Sequence, residues 1–453
     1  MKVLYRAIAP TASERFESAS DFLQALKTAA AARSLIDVTK SGGERTINER
    51  VTEIQGLYRN SRIGNADNRG LDTDFAIDTY VPTRLDSELL PKIIRGAFSV
   101  VLLSGNPGDG KTAFLEKVGE AIAELDAEQI SCDPNGWKYN LKGRVFAANY
   151  DASESSKGKR ADQLLDEILS PFKGDNPPST TLNYTALIAI NDGKLRQFLL
   201  GNYQYSWLGK QVYRLLEHPD WTIDRRITLV DLKQRSVVSG SLASEEQGDL
   251  YEQVLLNLVQ ESEWKQCDSC RVRLQCPIKF NRDTLAGSAA VRARLRTLML
   301  VTHLRHERHI TMRDLRSALA YILTNTTICE DIHREVESGT PHPQWYNRLY
   351  FMSAFNTANE SEDNLRDFAQ ADPAYTSAPR LDRFLYFRRH AHAQKEITPL
   401  FIPLPMRSPI PILGLTAEAL GAQWLPIVKR RLFFESDDEA NAPQDNPLQN
   451  WIE

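Results

Sequence analysis

A glycine-rich turn carrying one lysine and one threonine is the place where residue types and spacing first suggest chemistry. Gly105-Asn-Pro-Gly-Asp-Gly-Lys-Thr112 satisfies the pattern G-x-x-x-x-G-K-[ST]. Such a turn folds its backbone around a polyphosphate and points its N–H groups inward. Gly105, Gly108 and Gly110 permit the backbone angles and close approach that this needs, and the start of the following helix adds partial positive charge. Lys111 is expected to reach the β- and γ-phosphates and the Thr112 hydroxyl to complete the coordination of a magnesium ion. Asn106, Pro107, Asp109 and Ala113 complete the set expected to bind ATP.

Hydrolysis needs, in addition, an acid at the end of a neighbouring buried strand. The sequence offers Asp151 and Asp192 and no apolar run ending in Asp-Glu. In the preferred reading, Asp151 is the magnesium-side carboxylate, Glu154 positions water, and Asn191 is a polar sensor facing the γ-phosphate. In the other, Asp192 is the acid. Either aspartate could instead cap the helix that follows it. In a ring assembly a neighbour's arginine would stabilise the transferring phosphoryl group. Arg225, Arg226 and Arg235 flank the last strand and are the finger candidates, and Arg294 is the candidate lid arginine.

Cys267, Cys270 and Cys276 fall within ten residues of one another. Thiolates at C-x-x-C spacing bind one tetrahedral ion from a tight turn, and Cys329 is the expected fourth ligand of a structural zinc. His303, His306 and His309 are alternatives, and an iron–sulfur cluster would need the same four thiolates.

The elements that must position these groups follow from apolar patterning. Strands are expected at 99–104, 143–151, 184–192 and 226–232, alternating with helices at 113–124, 161–169 and 193–200. That alternation indicates a parallel α/β sheet buried on both faces. From residue 241 the pattern is helix alone, with segments at 249–259 and 289–304. Thr311-Met-Arg-Asp314 has the spacing of a capping box ahead of a further helix. The fold expected is a P-loop NTPase sheet sandwiched by helices, with a helical lid subdomain carrying the zinc site and a further C-terminal region. The regions are 1–75, N-terminal and helical, with Phe22, Leu23, Leu26, Ala30 and Leu35 on one face; 76–240, the ATPase core; 241–335, the helical lid; and 336–453, a partner-docking region with a disordered acidic tail.

Composition bounds the rest. The 453 residues are 42% hydrophobic and 25% charged, ordinary for a soluble globular protein, and a net charge of −4 gives no global sign of nucleic-acid binding. DNA contact would need local patches, for which Arg292 to Arg308, Lys157 to Arg160 and Arg388-Arg389 are candidates. Phe384, Tyr386 and Phe387 are the aromatics that could stack on bases. No apolar run reaches the length of a membrane span. With five cysteines and no apolar leader at the start of the sequence, a cytoplasmic location is expected.

The phosphate-binding turn, the Ala189-Ile-Asn-Asp-Gly-Lys-Leu195 turn, the Cys267/Cys270/Cys276-Pro cluster and Thr311-Met-Arg-Asp-Leu-Arg316 occur in that order. In this the chain resembles the AAA+/STAND-type ATPases of bacterial genome-defence loci. Within these it is similar to the ATPase component of DNA phosphorothioation-dependent restriction systems, over residues 75–335. The resemblance implies a nucleotide-driven, oligomeric subunit that acts with a nuclease or helicase against foreign double-stranded DNA. A nucleotide-dependent scaffold with little hydrolysis is the alternative.

Overall fold

The computed structural model describes residues 44–61, 70–153, 158–179, 181–200, 202–217, 224–239, 250–306, 308–338, 345–357, 362–377 and 424–435, with a few isolated positions besides. The expected N-terminal helix near Phe22, the basic aromatic stretch at 380–389, the proline-rich stretch at 399–411 and the acidic tail lie outside them. By contacts the chain divides into a sheet unit, residues 65–258 with 299–318, and a helical unit, residues 1–64, 259–298 and 319–453. Both are discontinuous in sequence, a different partition from four consecutive regions.

The sheet unit is built on six strands: β1 (Val100–Ser104), β2 (Glu128–Asp133), β3 (Gly136–Leu141), β4 (Arg144–Asn149), β5 (Tyr184–Ile190) and β6 (Ile227–Asp231), in the order β2-β3-β4-β5-β1-β6. The four strands expected from sequence are all present, and β4, β5, β1 and β6 run parallel. Successive residues of β1 serve opposite faces. Val100 and Leu102 join Ile188 and the helices Ala161–Leu169, Asp192–Leu200 and Ser206–Glu217, whereas Val101 and Leu103 join Leu187 and the helix Lys111–Ala123. Burial on both faces is why these strands read as continuous apolar runs.

The expectation of a wholly parallel sheet is corrected by β2 and β3, which pair antiparallel with each other, and β3 pairs antiparallel with β4. The segment 128–141 mixes polar and aromatic residues because β2 is an exposed edge strand and only part of β3 is covered. Lys142 and Gly143, with φ of 51° and 85°, turn β3 into β4 as the two-residue hairpin geometry requires. Trp137 fixes the hairpin to the sheet's helical cover: its indole Nε1 donates to Leu115 O at 3.0 Å and its ring lies against Gly119.

In the helical unit, Asn48 caps the helix Glu49–Leu57 through its side chain, and Pro277 starts the helix Pro277–Gly287 at the position where a missing N–H costs least. Buried Asn281 holds three segments together: Nδ2 donates to Leu323 O at 2.9 Å and Arg348 O at 2.8 Å, and Oδ1 accepts from Tyr350 N–H at 2.7 Å. Tyr350, Phe351 and Phe355 form an aromatic cluster with Phe433 and Phe434 of the helix Trp424–Glu435. Arg430 of that helix pairs with Asp372 at 2.6 Å, both nearly fully buried. Among the described residues, no helix is long and apolar enough to cross a membrane.

Candidate functional site

The turn Gly105–Gly110 joins the C-terminal end of β1 to the helix Lys111–Ala123. Gly110 occupies the cap position with φ 92° and no side-chain cap, and a Cβ there would meet nothing within 4 Å. The requirement at Gly110 is therefore conformational. Gly108, φ 98°, is constrained by space as well, since a Cβ would come within 2.8 Å of Arg313 Cβ and 3.0 Å of Thr311 Oγ1.

Asp109 braces the turn from within. Its side chain is fully buried, Oδ2 accepts from Asn106 N–H at 2.6 Å and Oδ1 lies 2.8 Å from His309 Nε2. Arg235 Nη2 donates to Asp109 O at 2.8 Å. Burial lowers the Arg235 guanidinium below its ordinary pKa, with Asp109, Tyr80 and Asp86 opposing. This finger candidate thus supports its own chain's turn.

Lys111 Nζ folds back over the turn and donates to Gly105 O and Asn106 O, each at 2.9 Å. Burial lowers its pKa, Asp109, Asp151 and Asp192 raise it, and Arg313 lowers it. Lys111 is therefore the centre of a mixed cluster to which three carboxylates and a second cation contribute. Thr112 Oγ1 donates to Tyr150 O at 3.4 Å, which ties the start of the helix to the end of β4.

Sheet order separates the two candidate acids. β5 lies between β1 and β4, so Asp151, after β4, stands one strand further from the turn than Asn191 and Asp192, after β5. Asp151 Oδ1 accepts from Ser153 N–H at 2.9 Å. Asn191 Nδ2 donates to Ser153 Oγ at 2.9 Å, linking the ends of the two strands. The Asp192 carboxylate accepts from the β1 residue Ser104 and pairs with Lys233, so it is engaged on both oxygens. Glu154 lies outside the described residues.

The remaining arginines fall elsewhere. Arg226 precedes β6, at the end of the sheet opposite the turn, and its guanidinium is held by Asp224 at 2.7 Å and by Pro178 O at 3.2 Å. Arg294 belongs to the helical unit. Besides Arg235, the structure brings Arg313 to the turn, its backbone N–H donating to Gly108 O at 3.1 Å. The signal was present in Thr311-Met-Arg-Asp314. The capping box forms as expected, Asp314 Oδ2 accepting from Thr311 N–H at 3.0 Å and Thr311 Oγ1 from Asp314 N–H at 3.2 Å, and it places Arg313 in the first turn of the helix Met312–Thr324. Three residues after Arg313, Arg316 Nη2 donates to Thr79 Oγ1 at 2.6 Å and anchors the segment leading into β1.

Among the candidate DNA contacts, Lys159 is paired with Glu167 at 2.6 Å, and Arg292 Nη1 donates to Leu285 O and Ala286 O at 2.9 Å. Among the described residues, no three His, Cys, Asp or Glu side chains stand in a ready metal-binding arrangement. Comparison with protein-family models, curated proteins and solved structures finds no match to this chain.

Proposed function

We propose that this chain binds and hydrolyses ATP as a subunit of a bacterial defence system, coupling its nucleotide state to DNA-acting partner proteins such as a nuclease or helicase. The observation that carries the nucleotide-binding part is Lys111 folded onto the Gly105 and Asn106 carbonyls, at the end of a central parallel strand and the start of a helix. That position lets one ammonium exchange two carbonyl partners for phosphate oxygens without a change of fold. The open space beside Gly110 and the left-handed backbone at Gly108 and Gly110 fit a polyphosphate cradle.

In this reading the backbone amides of residues 108–113 and the helix N-terminus bind the phosphates, and Lys111 and Arg313 carry the opposing positive charge. Thr112 and Asp151 are the residues that would hold magnesium, which supplies further charge neutralisation between the phosphates. Water attacks the γ-phosphorus, the bond to the β-phosphate oxygen breaks, and ADP and phosphate leave. Asn191, hydrogen-bonded to Ser153, is the polar sensor facing the γ-phosphate. Asp192 is the weaker candidate for the acid because Ser104 and Lys233 already engage it. The link to DNA defence and to homo-oligomeric assembly is supported by the sequence resemblance.

The test is steady-state ATP hydrolysis by the purified chain beside Lys111→Ala, with and without double-stranded DNA, after sizing the protein with and without ATP. We expect turnover that falls at least about 100-fold on Lys111→Ala and rises with DNA. Turnover unchanged by Lys111→Ala would remove the assignment. ATP-driven assembly with negligible turnover would replace it by a nucleotide-dependent scaffold.

A further inference from the structure

A second group of chemistry-bearing side chains lies in the helical unit and takes no part in the function proposed above. Cys267 and Cys270 belong to a short turned segment, Cys276 caps the helix Pro277–Gly287, and Cys329 opens the helix Cys329–Glu337. All are free thiols. Asn48, only 1% exposed, serves two of them: Nδ2 lies 3.3 Å from Cys267 Sγ, and its backbone N–H is hydrogen-bonded to the Cys329 sulfur. Cys276 Sγ accepts from Lys279 N–H at 3.4 Å and from Ile278 N–H. Cys270 Sγ lies 3.5 Å from His333 Nε2, the nitrogen that donates to Thr46 O at 2.9 Å.

Cys329 lies one turn before His333 on the helix Cys329–Glu337, so the contact of Cys270 with His333 brings the 267–276 segment alongside Cys329. Two stretches of chain distant in sequence, 267–276 and the start of the helix Cys329–Glu337, therefore bring their thiols into one partly buried neighbourhood supplied with N–H donors. Cysteine sulfur is the donor a structural zinc ion favours, and four sulfurs make its usual tetrahedral set.

We propose that Cys267, Cys270, Cys276 and Cys329 hold a tetrahedral zinc ion, with Asn48, Ile278 and Lys279 as the hydrogen-bonding partners that orient the sulfurs. The binding free energy of the ion becomes stability of the helical unit. Coordination ties the helix Cys329–Glu337 to the 267–276 segment and, through Asn48, to the start of the helix Glu49–Leu57. Cys132, exposed on β2, takes no part.

The full chain, purified without chelator, is expected to contain equimolar zinc by mass spectrometry, released by a thiol-modifying mercurial and detected with a chromogenic chelator. Cobalt(II) added to chelator-treated protein under reducing conditions should give sulfur-to-metal charge transfer and the d–d bands of a tetrahedral tetrathiolate. Cys276→Ser and Cys329→Ser should abolish or shift those bands, whereas Cys132→Ser should leave them unchanged. Should the serine variants fail to fold, the cobalt spectrum of the unmodified chain decides alone. No zinc in the purified chain together with no tetrahedral cobalt spectrum overturns the proposal, as does a Cys267–Cys270 disulfide in freshly purified protein. An unaltered spectrum in Cys329→Ser overturns the four-thiolate set.

Discussion

Two glycines of one turn should respond differently to the same substitution. Gly108→Ala and Gly110→Ala both force alanine into the left-handed region, φ 98° and 92°, at a cost of about 1–2 kcal/mol each. At Gly110 the new methyl enters open space, so the cost stops there. At Gly108 it meets Arg313 Cβ at 2.8 Å and Thr311 Oγ1 at 3.0 Å. Both neighbours sit close to the backbone of a capped helix start, so neither can swing away, and crowding adds about 1–3 kcal/mol. Gly108→Ala should therefore exceed Gly110→Ala by that increment. Native-state hydrogen exchange of peptides covering β1 and the helix Lys111–Ala123 reads the sheet unit directly. Adding Arg313→Gly removes the nearer Cβ and should recover about 1 kcal/mol or more as a coupling term in a double-mutant cycle. Equal costs at the two glycines, or no coupling to position 313, would refute the reasoning.

The other expectations concern charge and capping. Glu116 Oε2 accepts from Leu71 N–H at 2.6 Å, yet burial, with Asp72 and Glu120 nearby, pushes its carboxyl up to about 7 from 4.5. A folded-state pKa above the unfolded one stabilises at low pH, fully so below about 4.5, and that contribution is lost as pH rises through about 7. Discounted for partial exposure, the swing is about 1–2 kcal/mol, so Glu116→Gln should flatten the fall in stability between pH 5 and 8 seen in urea melts. Thr311→Ala removes one half of the capping box and should cost about 1 kcal/mol, read as faster exchange at the start of the helix Met312–Thr324. Asp151→Asn should lower ATP turnover with little loss of stability. Asp192→Asn should instead lower the melting temperature, because Ser104 and Lys233 lose a charged partner; the reverse pattern would exchange the two assignments.

The parallel strands were legible because burial on both faces imposes an unbroken apolar run, as in Val100–Leu103 and Ala186–Ile190. The capping box at Thr311 was legible because it is local, its bonds joining residues three apart. The hairpin was not, since β2 is exposed and β3 is held by one indole and a neighbouring strand rather than by periodicity. The capping box marks Arg313 as lying at a helix start, but only the fold shows that this start meets Gly108. Asp151 and Asp192 look alike in sequence, and what separates them is the hydroxyl of Ser104 and the ammonium of Lys233, both remote in the chain.

The β2-β3 hairpin also changes what the sheet offers to other chains. Without it, β4 would be an edge strand, with a row of unpaired amides and the apolar residues Phe146 and Ala148 behind them. Such an edge invites strand addition by any extended segment. The hairpin takes over that role with a strand that is poor at it. β2 is exposed along its length, begins and ends on the acids Glu128 and Asp133, and is interrupted by a register shift between Gln129 and Ser131. On this side of the sheet β4 is thereby removed from edge-to-edge pairing by two strand widths, about 10 Å. The cost falls on the least constrained part of the sheet, where sequence can drift without disturbing the turn at Gly105–Thr112.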